Sequence, residues 1–202
     1  TFMYRKPATT FNQKAEALYQ QNVLSVMEEV WHKEGERIDL VIFLNGIAIF
    51  TFELKCNTSG QNYEDAIRQY KFERDYKTRL LKFKAGCLAH FAMDLNEVYM
   101  CTNLKGKSSF FLPFNKGCGV GIHSGKGNPH NENGINVSYM WEDILKKDTV
   151  LYLIDKIIFL QKETKKDPDT GKRVTKETLI FPRYHQFNAV RKLVADVVEH
   201  HS

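Results

Sequence analysis

Two apolar runs separated only by Asn45-Gly46, IDLVIFL and IAIFTFELK over residues 38–55, constrain this chain more than any other stretch. Asn-Gly between β-prone runs is the strongest short-range hairpin signal, because both residues accept the positive φ that a two-residue turn needs. Asp39–Leu44 and Ile47–Lys55 are therefore expected as paired strands. In the second strand, Ile47, Ile49, Thr51, Glu53 and Lys55 fall on one face and Ala48, Phe50, Phe52 and Leu54 on the other. Both faces are apolar along most of its length, which predicts a central strand covered on both sides. Asp39, Glu53 and Lys55 then need an explanation, since an unpaired buried charge costs on the order of several kcal/mol.

One explanation is an internal ion pair, Asp39–Lys55 or Glu53–Lys55. The other is a metal site. Two carboxylates on neighbouring strands are hard oxygen ligands suited to Mg²⁺, which takes one or two protein carboxylates and keeps several waters. A lysine beside them orients or deprotonates water, or stabilises charge developing on a phosphate. Hydrolysis of a phosphodiester uses all three groups together. A strict two-residue turn would pair Leu44 with Ile47 and Asp39 with Phe52, aiming Asp39 away from Glu53. A shared metal demands a one-residue offset. The expected device is either a three-residue turn ending at Ile47 with a glycine bulge or a bulge near Asp39.

The rest of the chain supplies a setting for the hairpin. FNQKAEALYQQ has helical spacing, and NVLSVMEEVW reads as a strand. TSGQNYEDAIRQYKFERDYK reads as a helix with Thr58 and Ser59 available as caps. Strands are expected over 86–94 and 97–102, with a shorter one in KSSFFLPFN. Residues 115–136 are rich in Gly, Asn, His and Pro, the mark of a long loop. SYMWEDIL and TVLYLIDKIIFLQ read as helices, and KETKKDPDTGKRVTKE as a charged, turn-rich linker. The order predicts an α/β fold, a mixed central sheet flanked by helices. Three units are expected: a principal domain over 1–161, the linker over 162–177, and the start of something new over 178–202.

At 202 residues with 43% hydrophobic content, one fair-sized domain can bury a core. The 26% charged residues and the absence of an apolar run near twenty argue against a membrane span. No signal-peptide pattern opens the sequence. Cys56, Cys87, Cys101 and Cys118 stand singly, without the paired spacing of a structural zinc site. Three read as small core residues, and reduced thiols fit a cytoplasmic protein. The net charge of +5 is compatible with a polyanionic partner.

Taken together, Asp39…Glu53-x-Lys55 and the stretches DLVIFLNGIAIFTFELK, GQNYEDAIRQYKFERD, LAHFAMDLNEVYMCTNLKGKSSFFLPFNKG and LIFPRYHQFNAVRKL resemble the N-terminal portion of type I restriction enzyme R subunits, HsdR-like chains with a PD-(D/E)xK nuclease. The resemblance covers nearly the whole sequence. It implies a restriction-endonuclease-like core that cleaves double-stranded DNA with Mg²⁺. Asp39 and Glu53 would be the metal ligands, with the Leu54 carbonyl a third, and Lys55 the catalytic lysine. The family also carries Gln-x-x-x-Tyr on the following helix. Gln69 fits and would be catalytic, but Glu73 stands where the tyrosine is expected, with Tyr70 and Tyr76 nearby. An acidic residue on the first helix recurs in such nucleases, and Glu16 is available.

FPRYHQ before an amphipathic helix resembles the adenine-reading motif that opens superfamily 2 helicase and translocase motors, with Gln186 as the glutamine. No GxxxxGK[ST] phosphate loop occurs, so ATP would serve only a longer protein. The implied partners are double-stranded DNA and the methyltransferase and specificity subunits of a restriction complex, with defence against foreign DNA as the role. Arg68, Lys71 and Arg74, spaced by three on the helix after the triad, are expected at DNA phosphates. Lys116, His123, Lys126 and His130 sit in the long loop, the histidines seven apart and exposed. Two alternatives remain open: a non-catalytic docking or DNA-binding module whose charges pair internally, and a stand-alone repair nuclease of the same fold.

Overall fold

A computed structural model describes residues 2–7, 9, 11–119, 126–132, 134–166 and 171–201. Its centre is a six-stranded sheet in the order β1-β2-β3-β4-β5-β6, built from β1 (Leu24–Lys33), β2 (Glu36–Leu44), β3 (Ile47–Leu54), β4 (Ala89–Met93), β5 (Val98–Cys101) and β6 (Leu112–Pro113). Only β3 and β4 run parallel. A parallel pair needs a crossover connection, and α2 (Tyr63–Phe72) supplies it. The sheet is thus mixed, as the sequence predicts, and β3 lies inside it.

The hairpin closes through Asn45 (φ 50°) and Gly46 (φ 81°), a two-residue turn with both residues left-handed. Leu44 pairs with Ile47 and Phe43 with Ala48, yet Ile42 pairs with Phe50. Ile49 is therefore an extra residue, a bulge on β3 three positions after the turn. Neither expected device is the one used: the offset arises on β3, close to the turn, in a strand uniformly apolar there. Its consequence is visible in the packing. Ile49 joins Phe50 and Phe52 in one core, while Ala48 packs against the other.

Two apolar layers sandwich the sheet. The larger contains Tyr19 of α1 (Gln13–Gln20), Phe50, Phe52, Phe91, Phe114 and the helical turns over 137–157. The smaller lies under α2 and contains Ile38, Val41, Ala66, Tyr70, Leu81 and Cys101. The N-terminus of α2 is capped by Asn62, not Thr58 or Ser59. Asn62 accepts from Glu64 N, and Asp65 returns a bond to Asn62 N, a reciprocal box. The helix stops at Phe72, with Glu73 as its C-cap, earlier than the periodicity suggests.

Past the sheet, helix α3 covers Lys147–Tyr152 and runs into a π-helical turn, Leu153–Ile157. The segment expected as a charged, turn-rich linker over 162–177 instead contributes to strands β7 (Phe159–Lys166) and β8 (Arg173–Ile180), paired in an antiparallel ribbon. Alternating Thr164, Thr175 and Val174 among the lysines suits a solvated two-stranded ribbon, and cross-strand pairs such as Lys162–Glu177 offset the charge. Helix α4 (Tyr184–His201) follows. The residues between are not detached: Phe181 and Phe187 are buried in the larger core, Phe181 edge-on to Phe50, Phe91 and Phe114. Cys87 and Cys101 are buried and Cys56 and Cys118 exposed, so two of the cysteines rather than three are core residues. Among the described residues, no helix is long and apolar enough to cross a membrane.

Candidate active site

The ladder pairs Leu40 with Phe52, which sets Asp39 directly across from Glu53 on the α2 side of the sheet. The bulge at Ile49 is what produces this. Without it the same two-residue turn would put Phe52 opposite Asp39. Glu53 is 0% exposed and Asp39 half-buried, with the two carboxylates within hydrogen-bonding reach of each other. Asp39 also accepts from Leu54 N at 2.7 Å, which fixes one oxygen and turns the carboxylate along the edge of β3.

Glu53 carries the unusual electrostatics of the site. Burial, the largest influence, pushes its carboxyl up from 4.5 to about 8. Asp39 pushes the same way and Arg74 opposes both. The Arg74 guanidinium grips Glu53 with both prongs, Nε donating to Oε1 at 2.7 Å and Nη2 to Oε2 at 3.3 Å. The pair considered from sequence is therefore not the one formed. Among the described residues Lys55, half-buried, makes no ion pair with either acid.

The cations Arg68, Lys71 and Arg74 do not form one flank. Arg68 is exposed, Lys71 half-buried, and Arg74, beyond the helix end, turns inward with its side chain 9% exposed. Sequence reasoning missed its partnership with Glu53. The available signal was the rule that a buried carboxylate needs a counter-ion, combined with the helix ending before residue 74.

Gln69 is on α2, where its Oε1 is buried with no hydrogen-bond partner. Its neighbour Tyr70 is fully buried and bonded through its hydroxyl to Thr51 Oγ1 at 2.8 Å, and Thr51 is bonded in turn to His90 Nδ1 at 2.7 Å. Tyr70 is thus committed to the interior, whereas Tyr76 is half-buried beneath Lys77. Glu16 bonds Gln20 one turn along α1. Glu29 lies between Glu28 and Val30, whose partners Leu40 and Ile38 flank Asp39, and nothing in the residue pattern singles this acid out. It is left-handed (φ 54°) and pairs with Arg37 at the surface, 52% exposed. Among the described residues no three His, Cys, Asp or Glu side chains converge as a metal-binding group. The site offers two carboxylates, which fits Mg²⁺ with its retained waters and not a fully protein-ligated cation.

The long loop is pinned at both ends by amides: Lys116 N donates to Asn128 Oδ1, and Asn128 and Asn136 both bond Asn96. Lys126 and His130 are exposed, and His123 lies outside the described residues. Gln186 is exposed near the start of α4, its Oε1 accepting from Arg183 N at 2.9 Å. That bond is a local helix-start contact.

A mixed sheet with a parallel central pair, a crossover helix and facing acids at the hairpin is the restriction-endonuclease-like architecture. Residues 11–109 match the family described as type I restriction enzyme R protein N terminus. A Methanocaldococcus jannaschii chain described as a type I restriction enzyme MjaVIIIP endonuclease subunit is 27% identical over 186 residues, covering 86% of this chain and 15% of the relative. No solved structure matches. These matches support an HsdR-like N-terminal domain over residues 11–109, and the chain spans about a seventh of the length of the curated relative it matches.

Proposed function

We propose that this chain is the nuclease domain of a type I restriction enzyme R subunit, hydrolysing phosphodiester bonds of double-stranded DNA with Mg²⁺. The observation that carries the reading is the Asp39–Glu53 juxtaposition: a β-bulge brings two acids face to face, an arrangement with an electrostatic cost and no evident structural return. Asp39 and Glu53 would hold the cation, with the Leu54 carbonyl as a further oxygen. When bound, the metal supplies Lewis-acid polarisation of the phosphate and its water ligands. Lys55, without an ion pair among the described residues, is available to orient the attacking water or take up its proton. Gln69, with an uncommitted amide oxygen, is available to position that water or the DNA backbone, and Arg68 and Lys71 to meet phosphates. ATP-driven translocation, recognition of a DNA sequence and assembly with methyltransferase and specificity subunits belong, on this reading, to the longer protein and its complex in the cytoplasm. Gln186 would contribute to adenine recognition only there.

In the R subunit assembled with its partners, Glu53→Ala and Lys55→Ala should each abolish Mg²⁺-dependent cleavage while translocation continues. Undiminished cutting by either variant would overturn the assignment. A docking module without catalysis is favoured by one observation, the buried Glu53–Arg74 pair. It leaves the apposed Asp39 and Lys55 without a role.

A further inference from the structure

The contact between Arg74 and Glu53 has a geometry that distinguishes support from blockade. Arg74 touches Glu53 through both prongs, and among the described residues it makes no ion pair with Asp39. Glu53 meets Asp39 at the same time. Glu53 thus has the Arg74 fork and Asp39 as neighbours at once, with the guanidinium paired to Glu53 and not to Asp39 among the described residues.

Arg74 is itself held from outside the site. After α2 ends, the chain crosses to the β1–β2 hairpin, where Asp75 N donates to Glu36 Oε2 at 2.7 Å. Lys33 Nζ bridges Glu36 Oε1 at 2.9 Å and Asp75 Oδ2 at 3.3 Å. Thr78 Oγ1 donates to Asp75 O and is bonded to His32 Nδ1 at 3.1 Å. These contacts tie the backbone just after Arg74 to the β1–β2 hairpin, so the strands help to set the direction of its fork. A planar fork that grips both carboxylate oxygens fixes the carboxylate plane as well as its charge, which an ammonium does not.

We propose that Arg74 is a positioning residue of the nuclease centre, orienting the Glu53 carboxylate against Asp39 so that the two acids take a divalent cation together. The inference rests on the metal-dependent reading of the site. The arginine that its spacing assigned to DNA acts, on this view, through Glu53.

The test is Mn²⁺ affinity, measured by calorimetry without DNA, on the wild-type chain and on Arg74→Gln and Arg74→Lys, with circular dichroism to verify folding. Groups that orient metal ligands typically contribute about 10- to 100-fold in affinity. Arg74→Gln should weaken Mn²⁺ binding by at least about tenfold, and Arg74→Lys by a smaller factor, because charge without the fork is a partial substitute. A folded Arg74→Gln that binds Mn²⁺ as tightly as wild type, or more tightly, overturns the proposal and leaves the metal-site reading standing. If Arg74→Gln does not fold, Arg74→Lys decides: unchanged affinity overturns it, and a several-fold loss supports it. Failure of the wild-type chain to bind Mn²⁺ overturns the metal-site reading itself.

Discussion

Asp39→Asn should make this protein more stable, and only at high pH. Two unit charges about 4 Å apart repel by about 4 kcal/mol at an effective dielectric of about 20. Asp39 is half-buried, so solvent screening reduces this to roughly 1–2 kcal/mol. The repulsion operates only when Glu53 is ionised. Its folded-state pKa is raised from 4.5 to about 8, so its stabilising contribution is complete below 4.5 and lost as pH rises through 8. Asparagine keeps an oxygen for the Leu54 N–H bond and removes the charge. Urea denaturation in EDTA should therefore give wild type and Asp39→Asn nearly equal stability at pH 5.5. At pH 9.5 the variant should be ahead by roughly 1–2 kcal/mol. Gain in stability with loss of Mn²⁺ binding is the signature of a residue kept for function. A variant less stable than wild type at pH 9.5, or a gain that does not vary with pH, would refute the electrostatic reasoning.

Other outcomes follow from the same structure. His90, buried against Thr51, has its imidazole pushed down from 6.5 to about 3 by burial, so its contribution is present above 6.5 and lost as pH falls towards 3. Over that range denaturant unfolding should show a loss on the order of 4 kcal/mol, with a flatter profile in His90→Asn. Gly46→Ala, at φ 81°, should lower stability by about 1 kcal/mol and leave Mn²⁺ affinity unchanged, since the turn sets register but touches no ligand. In the native protein, a thiol reagent should label Cys56 and Cys118 promptly, and Cys87 and Cys101 only on unfolding, as mass spectrometry of the tryptic peptides would read out.

The hairpin and its acids were legible because Asn45-Gly46 is a local signal and a charge in an apolar strand is conspicuous. The need for a one-residue offset followed from the two-residue period of a strand. Its location did not, because Ile47, Ala48, Ile49 and Phe50 are all apolar and any of them packs acceptably on either face. Arg74 was hidden among seven cations between residues 68 and 84, where spacing by three pointed to a helix face. The helix ends first, and a tertiary partner then decides the side chain's direction. Asn62 and Asp65 form the capping box, and Thr58 and Ser59 drew the expectation instead because several cap-forming residues crowd the approach to the helix. The β7–β8 ribbon was obscured by its lysines, since charge density and turn residues dominate a reading by composition and mask the alternation of Thr and Val. Phe181 and Phe187 belong to a core assembled from distant strands, which no local window contains.

Catalysis as proposed requires one divalent ion to join the two facing acids. Crystals soaked in Mn²⁺ and measured for anomalous scattering should show a single peak bridging the carboxylates of Asp39 and Glu53, with Arg74 still gripping Glu53. A well-ordered site with no peak there, or a peak only at unrelated surface carboxylates, would contradict it.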